Sequence, residues 1–303
     1  MKLTVLTFGG RKKFLEILFS YIEKYEKYID EYRIYVSTEN QEDIDYMIDF
    51  ANKKNYVKLI RREYPDHNLW NQSYKDCQDD NTVYLKIDDD ILYIDETLFT
   101  DFIKFRIDNP KYPIVYPMII NNVYTSWVLQ EKMGMSFNGV TDYGYEWPKY
   151  VGLIKDHLIK NGIPERIDFI IPSNKIMCDV SWGSVPFAIS VHDKFLTDLN
   201  NNDVVKYKRT SNGDAGLEIV DNNPMSIQCI SWLGSSLKEY TTKFGDIWQD
   251  EIWLSVYLPI LTGQNNFIYL DSVVSHYSYY IQMERGILHT NILDRYKQFS
   301  EKN

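Results

Sequence analysis

Residues 84–94 read YLKIDDDILYI. The β-branched and aromatic residues suit a buried strand, yet Asp88, Asp89 and Asp90 stand together in the middle of the run. Unpaired carboxylates in apolar surroundings are very costly. The strand must therefore end in a solvated cleft or meet positive charge there.

Working outward, three earlier runs have the same character: LTVLTF (3–8), YRIYVS (32–37) and YVKLIRR (56–62). Between them, Phe14, Leu15, Leu18, Tyr21, Ile22, Tyr25 and Ile29 make a helical stripe, and Ile44, Met47, Ile48 and Ala51 mark a second helix. Residues 67–77 read as a short third helix. Beyond the aspartates, Leu98, Phe99, Phe102 and Ile103 mark another helix that Asn109-Pro110 stops, and PIVYPMII (113–120) is a fifth strand. This alternation, with strands apolar throughout, predicts an α/β fold: a mostly parallel sheet flanked by helices. In such sheets ligands sit at the carboxyl ends of the strands. Both the aspartates and TFGGR (7–11) fall there, so they are expected to share one cleft.

The second half is less regular. WPKYVGLIKDHLIKN (147–161) reads as helix, and SWGSVPFAIS (181–190) as a strand leading into a helix over 191–199. Residues 200–226, rich in Asn, Asp, Ser and Gly, read as a long exposed loop. DEIWLSVYLPILTG (250–263) is a buried helix with an irregularity at Pro259, NNFIYLDSVVSHYSYY is a strand, and the tail is helical. Without an internal repeat or a low-complexity linker, the expectation is one domain, 1–303, with a ligand-binding half at 1–125 and a second half at 126–303.

The 25 Tyr, 14 Phe and 7 Trp exclude a disordered chain. A net charge of −10 with scattered Lys and Arg disfavours nucleic acid as a partner. Cys77, Cys178 and Cys229 are odd in number and widely spaced, which suits buried free thiols rather than a disulfide framework or a zinc site. No run reaches the roughly 18 apolar residues of a membrane span, and the N-terminal residues lack the order of a signal peptide. The expected protein is soluble and cytoplasmic.

The triplet admits three readings: a solvated turn, a calcium loop, or a divalent-metal site holding a phosphorylated ligand. The calcium loop fails, because Tyr93 stands where glycine is needed and Phe99 where glutamate is needed. Mg²⁺ and Mn²⁺ prefer carboxylate oxygens and share them with substrate phosphates, which favours the third.

The wording Leu-Lys-x-Asp-Asp-Asp resembles the DxD segment of GT-A glycosyltransferases, with the β-1,3-galactosyltransferase-like enzymes nearest in wording. The resemblance implies a GT-A, Rossmann-like sheet with an irregular C-terminal acceptor half. It implies a nucleotide-sugar donor, UDP-sugar favoured, Mn²⁺ or Mg²⁺, and a glycan or glycoprotein acceptor. Asp88 and Asp89 would then face the donor, Asp90 with Asp88 would hold the metal, and Lys86 would accompany them. SWGSVPFAIS resembles the family's Gly-rich segment at the acceptor site, which points to Trp182 and Gly183; the family's glycine run is absent. QDEIWLS (249–255) is similar to the acidic pair in which one carboxylate is the catalytic base, so Asp250 and Glu251 are candidates, Asp250 favoured. A C-terminal histidine often completes the metal shell in this superfamily, which points to His276.

Read on their own, Asp250 and Glu251 also suit helix initiation, and His276 suits a hydrogen-bonded core residue. In TFGGR, Thr7, Phe8, Gly9 and Arg11 suit backbone approach to a nucleotide, with Arg11 opening a helix where phosphate docks. Asn71 is a candidate for the base or ribose, and Arg285 for the diphosphate. The expected function is an inverting, metal-dependent glycosyl transfer. The alternatives are an NDP-sugar nucleotidyltransferase and an inactive nucleotide- or carbohydrate-binding protein.

Overall fold

The computed structural model describes residues 1–61, 69–137, 182–220, 224–247 and 249–302. Among them, nine strands join in one sheet: β1 (Lys2–Gly9), β2 (Glu31–Val36), β3 (Val57–Ile60), β4 (Thr82–Ile87), β5 (Ile91–Ile94), β6 (Val115–Ile120), β7 (Gly216–Ile219), β8 (Cys229–Leu233) and β9 (Asn266–His276). Their order is β3-β2-β1-β4-β8-β6-β9-β5, with β7 also pairing β9. The β1–β2, β2–β3, β1–β4 and β6–β9 pairs are parallel. β8 runs antiparallel to both β4 and β6. β1, β4, β6 and β9 therefore all point the same way, and their carboxyl ends share one edge.

The expected α/β class, a mostly parallel sheet flanked by helices, is what the chain adopts. The sequence explains the covering. Phe14, Leu15, Leu18 and Ile22 of α1 (Lys12–Lys24) are buried at helical spacing, and α1 packs on β5. α2 (Gln41–Asn52) starts at Asn40, whose side chain accepts the backbone N–H groups of Glu42 and Asp43. Every residue of β4 and of β6 is buried, as strands covered on both faces require. Cys77 and Cys229 are buried free thiols, and burial pushes Cys77 up to about 12; Cys178 lies outside the described residues.

PIVYPMII is a strand as expected, and β8 stands between it and the aspartate strand. Three expectations need correction. Residues 185–190 are helix rather than strand: Val185–Asn200 is one helix. Ser184 caps it by accepting the Phe187 N–H at 3.2 Å, and Pro186 sits in the first turn, both helix-start signals. Residues 200–226 are not all loop, since they hold a 3₁₀ turn at Val204–Tyr207 and β7. The short acidic-flanked strand β5 was not expected as a separate element. The proposed helix at 147–161 and Trp147 lie outside the described residues.

The irregularity expected near Pro259 is real. A π-helical stretch, Trp253–Tyr257, joins the turn Asp250–Ile252 to Leu258–Thr262. Among the described residues no helix is long and apolar enough to cross a membrane.

One close contact fixes β8 beside β4. A Cβ on Gly234, where β8 passes into the helix Gly234–Phe244, would lie 2.2 Å from the Asp79 carbonyl oxygen just before β4. Backbone cannot yield as a flexible side chain does. Gly234→Ala is expected to destabilise the fold by about 1–3 kcal/mol, measured as a lowered midpoint in urea unfolding; an unchanged midpoint would mean that this junction relaxes freely.

Candidate functional site

The carboxyl ends of β1, β4, β6 and β9 bring together segments far apart in sequence. β1 delivers Gly10 and Arg11, β4 delivers the triplet, β6 delivers Asn121 and Asn122, and β9 delivers His276. The antiparallel β8 begins at the same edge, so Ser226, Ile227 and Gln228 arrive there too. The triplet is stitched to both sides: the Asp88 N–H donates to the Gln228 carbonyl at 2.8 Å, and the Tyr277 N–H donates to the Asp90 carbonyl at 2.9 Å.

The question of what meets the three charges has a specific answer. Asp89, 4% exposed, accepts the Gly10 N–H at 3.1 Å, the Arg11 Nε–H at 3.2 Å and an Arg11 Nη2–H. Asp90, equally buried, has its Oδ2 at 2.9 Å from the same Arg11 Nη2. Asp88 pairs with Lys86 Nζ, which also donates to the Ile227 carbonyl at 2.8 Å. Two cations thus serve three carboxylates. Burial alone would lower the Arg11 pKa, but Asp90 and Asp89 outweigh it and keep the guanidinium charged. Burial raises Asp89, against Arg11 and the Gly10 N–H. Asp88 keeps a 29% exposed face toward the cleft, yet desolvation, opposed by Lys86 and reinforced by Asp90 and Asp89, pushes it up to about 7.

His276 is 4% exposed. Its Nδ1 lies 3.1 Å from the Asn121 carbonyl, an acceptor only, so Nδ1 carries the proton and Nε2 presents a lone pair. That Nε2 is 3.7 Å from Asp90 Oδ2. Burial lowers the imidazole pKa against the pull of Asp90, which favours the neutral ring. Asn121 holds this geometry from an unusual backbone position, φ 59°, with its side-chain amide donating to the Tyr277 carbonyl and to Gln282 Oε1.

Two clefts open here. The larger, about 540 Å³, is lined among others by Arg11, Asp88, Asp90, Glu251 and His276, with Trp182, Tyr279, Tyr280 and Met283 as an apolar wall. The second, about 400 Å³, is lined by Phe8, Gly10, Ser37, Lys86, Asp89 and Asp250, and it shares Arg11, Asp88, Ile227 and Glu251 with the first.

The two acids of the DE pair are placed differently. Asp250 accepts a hydrogen bond from the Tyr74 hydroxyl at 3.1 Å and one from the Glu251 N–H at 3.0 Å, and of the two clefts it lines only the smaller. Glu251 lines both clefts. Burial, then the Asp250 charge, pushes it up to about 7, while the Ser226 hydroxyl and Lys86 oppose. The residue before them, Gln249, has φ 42°, so the helix start turns sharply into the site.

Other candidates lie elsewhere. Thr7 is wholly buried in the sheet and accepts the Tyr32 hydroxyl at 2.9 Å. Gly9 is pressed against α2, where a Cβ would meet Met47 Sδ at 2.7 Å. Neither lines a cleft, because both side-chain directions point into packed protein. Asn71 lies on α3 (Leu69–Lys75) but lines neither cleft. Arg285 donates to the Gly183 carbonyl at 2.8 Å and so ties the Trp182 segment to the helix Tyr280–Glu284. Residues not foreseen are Asn121, Asn122, Ser226, Gln228, Tyr279 and Tyr280. The Asn pair at the end of a strand was a usable signal, given that ligands gather at carboxyl ends.

The donor set suits a divalent ion only in part. A carboxylate oxygen and a neutral imidazole nitrogen are fitting ligands for Mn²⁺, and Asp90 and His276 face the same cleft with Asp88 beside them. Among the described residues, however, no three His, Cys, Asp or Glu side chains are gathered so as to hold an ion by themselves. Sites with one or two protein ligands are usual where a phosphate supplies the rest.

No protein-family model matches the chain, and neither does any curated protein. Solved structures align with it at low identity. Mannose-6-phosphate isomerase from Helicobacter pylori does so at 18% identity and TM-score 0.30 over 39% of this chain, which spans about half (51%) of that protein. The 4-diphosphocytidyl-2C-methyl-D-erythritol synthase of Anaerococcus prevotii aligns at 10% identity and TM-score 0.41, covering 98% of this chain and 96% of that one. CMP:2-keto-3-deoxy-manno-octonic acid synthetase in complex with CTP aligns at 10% identity and TM-score 0.40, covering 95% and 97%.

Glu251 binds its proton near 4.5 when unfolded and near 7 when folded. The folded state holds that proton more tightly, so stability falls as pH rises between those values. Wild type is expected to lose stability from pH 4.5 to pH 8, and Glu251→Gln to lose less of it, by about 1–2 kcal/mol after allowing for solvent at the cleft. Urea midpoints at both pH values measure this; equal losses in the two proteins would mean that Glu251 titrates normally.

Proposed function

We propose that the chain is a nucleotide-sugar-dependent glycosyltransferase of the GT-A type, which moves a sugar to a hydroxyl of a glycan or glycoprotein. The observation that carries this reading is the convergence of the acidic triplet, the Arg11 and Lys86 cations and the Glu251 carboxylate on one strand-end edge with two joined clefts. A nucleotide-sugar has the same division: an apolar-faced base and sugar at either side of a diphosphate.

In this reading Arg11 and Lys86 face the diphosphate at the junction of the clefts. Asp90 and His276, with Asp88 beside them, would hold Mn²⁺ or Mg²⁺, whose contribution is to neutralise charge on the leaving nucleoside diphosphate. Glu251 rather than Asp250 is the base. It reaches the larger cleft, and a carboxylate poised near neutral pH suits proton abstraction from an acceptor hydroxyl. Asp250, held by Tyr74, positions the start of the helix that carries it. Trp182, Tyr279 and Tyr280 offer ring faces to a sugar.

A second reading, nucleotidyl transfer that forms a sugar nucleotide, is favoured by one observation. Arg11, Lys12 and Lys13 line a further cleft of about 450 Å³ directly after β1, together with Glu16, Glu42 and Asp43, so a triphosphate there would compete with these carboxylates for the cations. Pyrophosphate release from a nucleoside triphosphate with a sugar phosphate separates the two.

The test pairs binding with turnover. Melting temperatures are measured with UDP, GDP, CMP and dTDP, each with and without Mn²⁺, and with the matching triphosphates. One diphosphate that raises the melting temperature only with Mn²⁺ is the expected result. Glu251→Gln should keep that shift and lose about 10²–10⁴ of the transfer or donor-hydrolysis rate, whereas Asp250→Asn should lose less. A variant that turned over donor at the wild-type rate would remove Glu251 from the role, and no shift with any nucleotide would remove the donor site.

A further inference from the structure

We propose that Arg11 is an internal counter-cation that occupies the place of the divalent ion on Asp90 and excludes the ion until the guanidinium is drawn away. The inference rests on the metal reading of the site given above and adds to it a condition on when the ion binds.

The argument begins with one oxygen. Asp90 Oδ2 is the atom that faces His276 Nε2 at 3.7 Å, and it is also the atom 2.9 Å from Arg11 Nη2. His276 is 4% exposed, and among the described residues its Nε2 accepts no hydrogen bond. This nitrogen opens on the cleft 3.7 Å from Asp90 Oδ2, so a neutral imidazole and a carboxylate offer a cation two neighbouring ligands. The position is not vacant of charge, however, because the guanidinium already neutralises that oxygen. A divalent ion and a guanidinium on one buried oxygen would repel strongly, the local dielectric being low. The two are therefore alternatives.

The construction of Arg11 makes the exchange feasible. Its Nε and Nη2 both bond Asp89, and the Gly10 N–H adds a third donor to that carboxylate. Only the Nη2 contact reaches Asp90. Arg11 can release Asp90 by a small rotation while Asp89 still anchors it. The remaining contacts are soft: Nη1 lies 3.7 Å from Met283 Sδ, and the guanidinium carbon lies 4.7 Å from the centre of the Phe14 ring. The side chain is 34% exposed and borders both clefts, so an anionic ligand such as a diphosphate can reach it. Asp89 and Asp90 thus divide the work: one keeps Arg11 in place and the other is handed from Arg11 to the ion.

The test is Mn²⁺ binding without nucleotide, read from the loss of the free-ion signal in electron paramagnetic resonance. Wild type, Arg11→Gln, Asp90→Asn and the double variant are compared. Arg11→Gln is expected to bind Mn²⁺ at least tenfold more tightly than wild type, and the gain should vanish when Asp90→Asn is added. Arg11→Met, which removes the cation and keeps an apolar stem beside Phe14 and Met283, should also bind more tightly than wild type and carries the test should the Gln variant not fold. Equal or weaker binding in both Arg11 variants, with wild type binding the ion, overturns the exclusion and leaves the proposed function standing. A gain that survives Asp90→Asn places the ion elsewhere and also overturns it. No binding by any of the proteins overturns the metal reading together with this inference.

Discussion

Three adjacent carboxylates at the end of a fully buried strand are the constraint on which the rest of the site depends. Asp89 and Asp90 are each 4% exposed, so solvent cannot carry their charge, and burying them without partners would cost several kcal/mol each. The fold answers with a neighbour 78 positions earlier in the chain: Arg11. That meeting exists only because β1 and β4 pair in parallel and end together. The charge at Arg11 and the topology of the sheet therefore presuppose each other. Lys86 solves the same problem from within the strand, its ammonium folded back between Asp88 and the Ile227 carbonyl.

The other half of the edge is held by neutral hydrogen bonds rather than charge. Asn121, wholly buried with φ 59°, accepts from His276 through its carbonyl and donates through its amide to Tyr277 and Gln282. Asn tolerates that backbone region better than most residues. Below it, His192 receives the Tyr296 hydroxyl at Nδ1 and donates from Nε2 to the Tyr277 carbonyl, and Tyr296 also meets Ser275. Each member has one tautomer that satisfies all partners. The His276 ring is consequently fixed before any ligand arrives, as a pre-organised site requires.

The legible part of this architecture was the local part. Strand and helix periods through residue 120, β5 apart, read correctly because apolar runs and stripes there are long and separated by clear stops. The carboxyl-end rule then placed Arg11, the triplet and, by extension, the cleft. What failed was non-local. CISWL is five buried residues with nothing in its own pattern to say that it inserts between β4 and β6 in the opposite direction. SWGSVPFAIS carries an apolar run that suits a strand, while Ser184 and Pro186 are the helix-start signals that prevail in the fold. Asp250 and Glu251 are indistinguishable as neighbouring letters. Only burial and the reach of each side chain separate a carboxylate tied to Tyr74 from one open to both clefts.

The joining of the clefts gives these parts a common direction. Arg11, Asp88, Ile227 and Glu251 belong to both, so they sit at a waist. On one side of it lie Phe8, Gly10 and Ser37, small or flat groups at the end of β1. On the other lies the ring wall of Trp182, Tyr279 and Tyr280. In the proposed reading, a ligand that crosses the waist presents its most anionic portion to the guanidinium and its reacting hydroxyl to Glu251. Asp88 and Glu251, both displaced toward neutrality, keep the waist from accumulating the full negative charge its composition suggests. Arg11 answers Asp89 and Asp90, and Lys86 answers Asp88, so the edge carries less net negative charge than its carboxylates alone would give it.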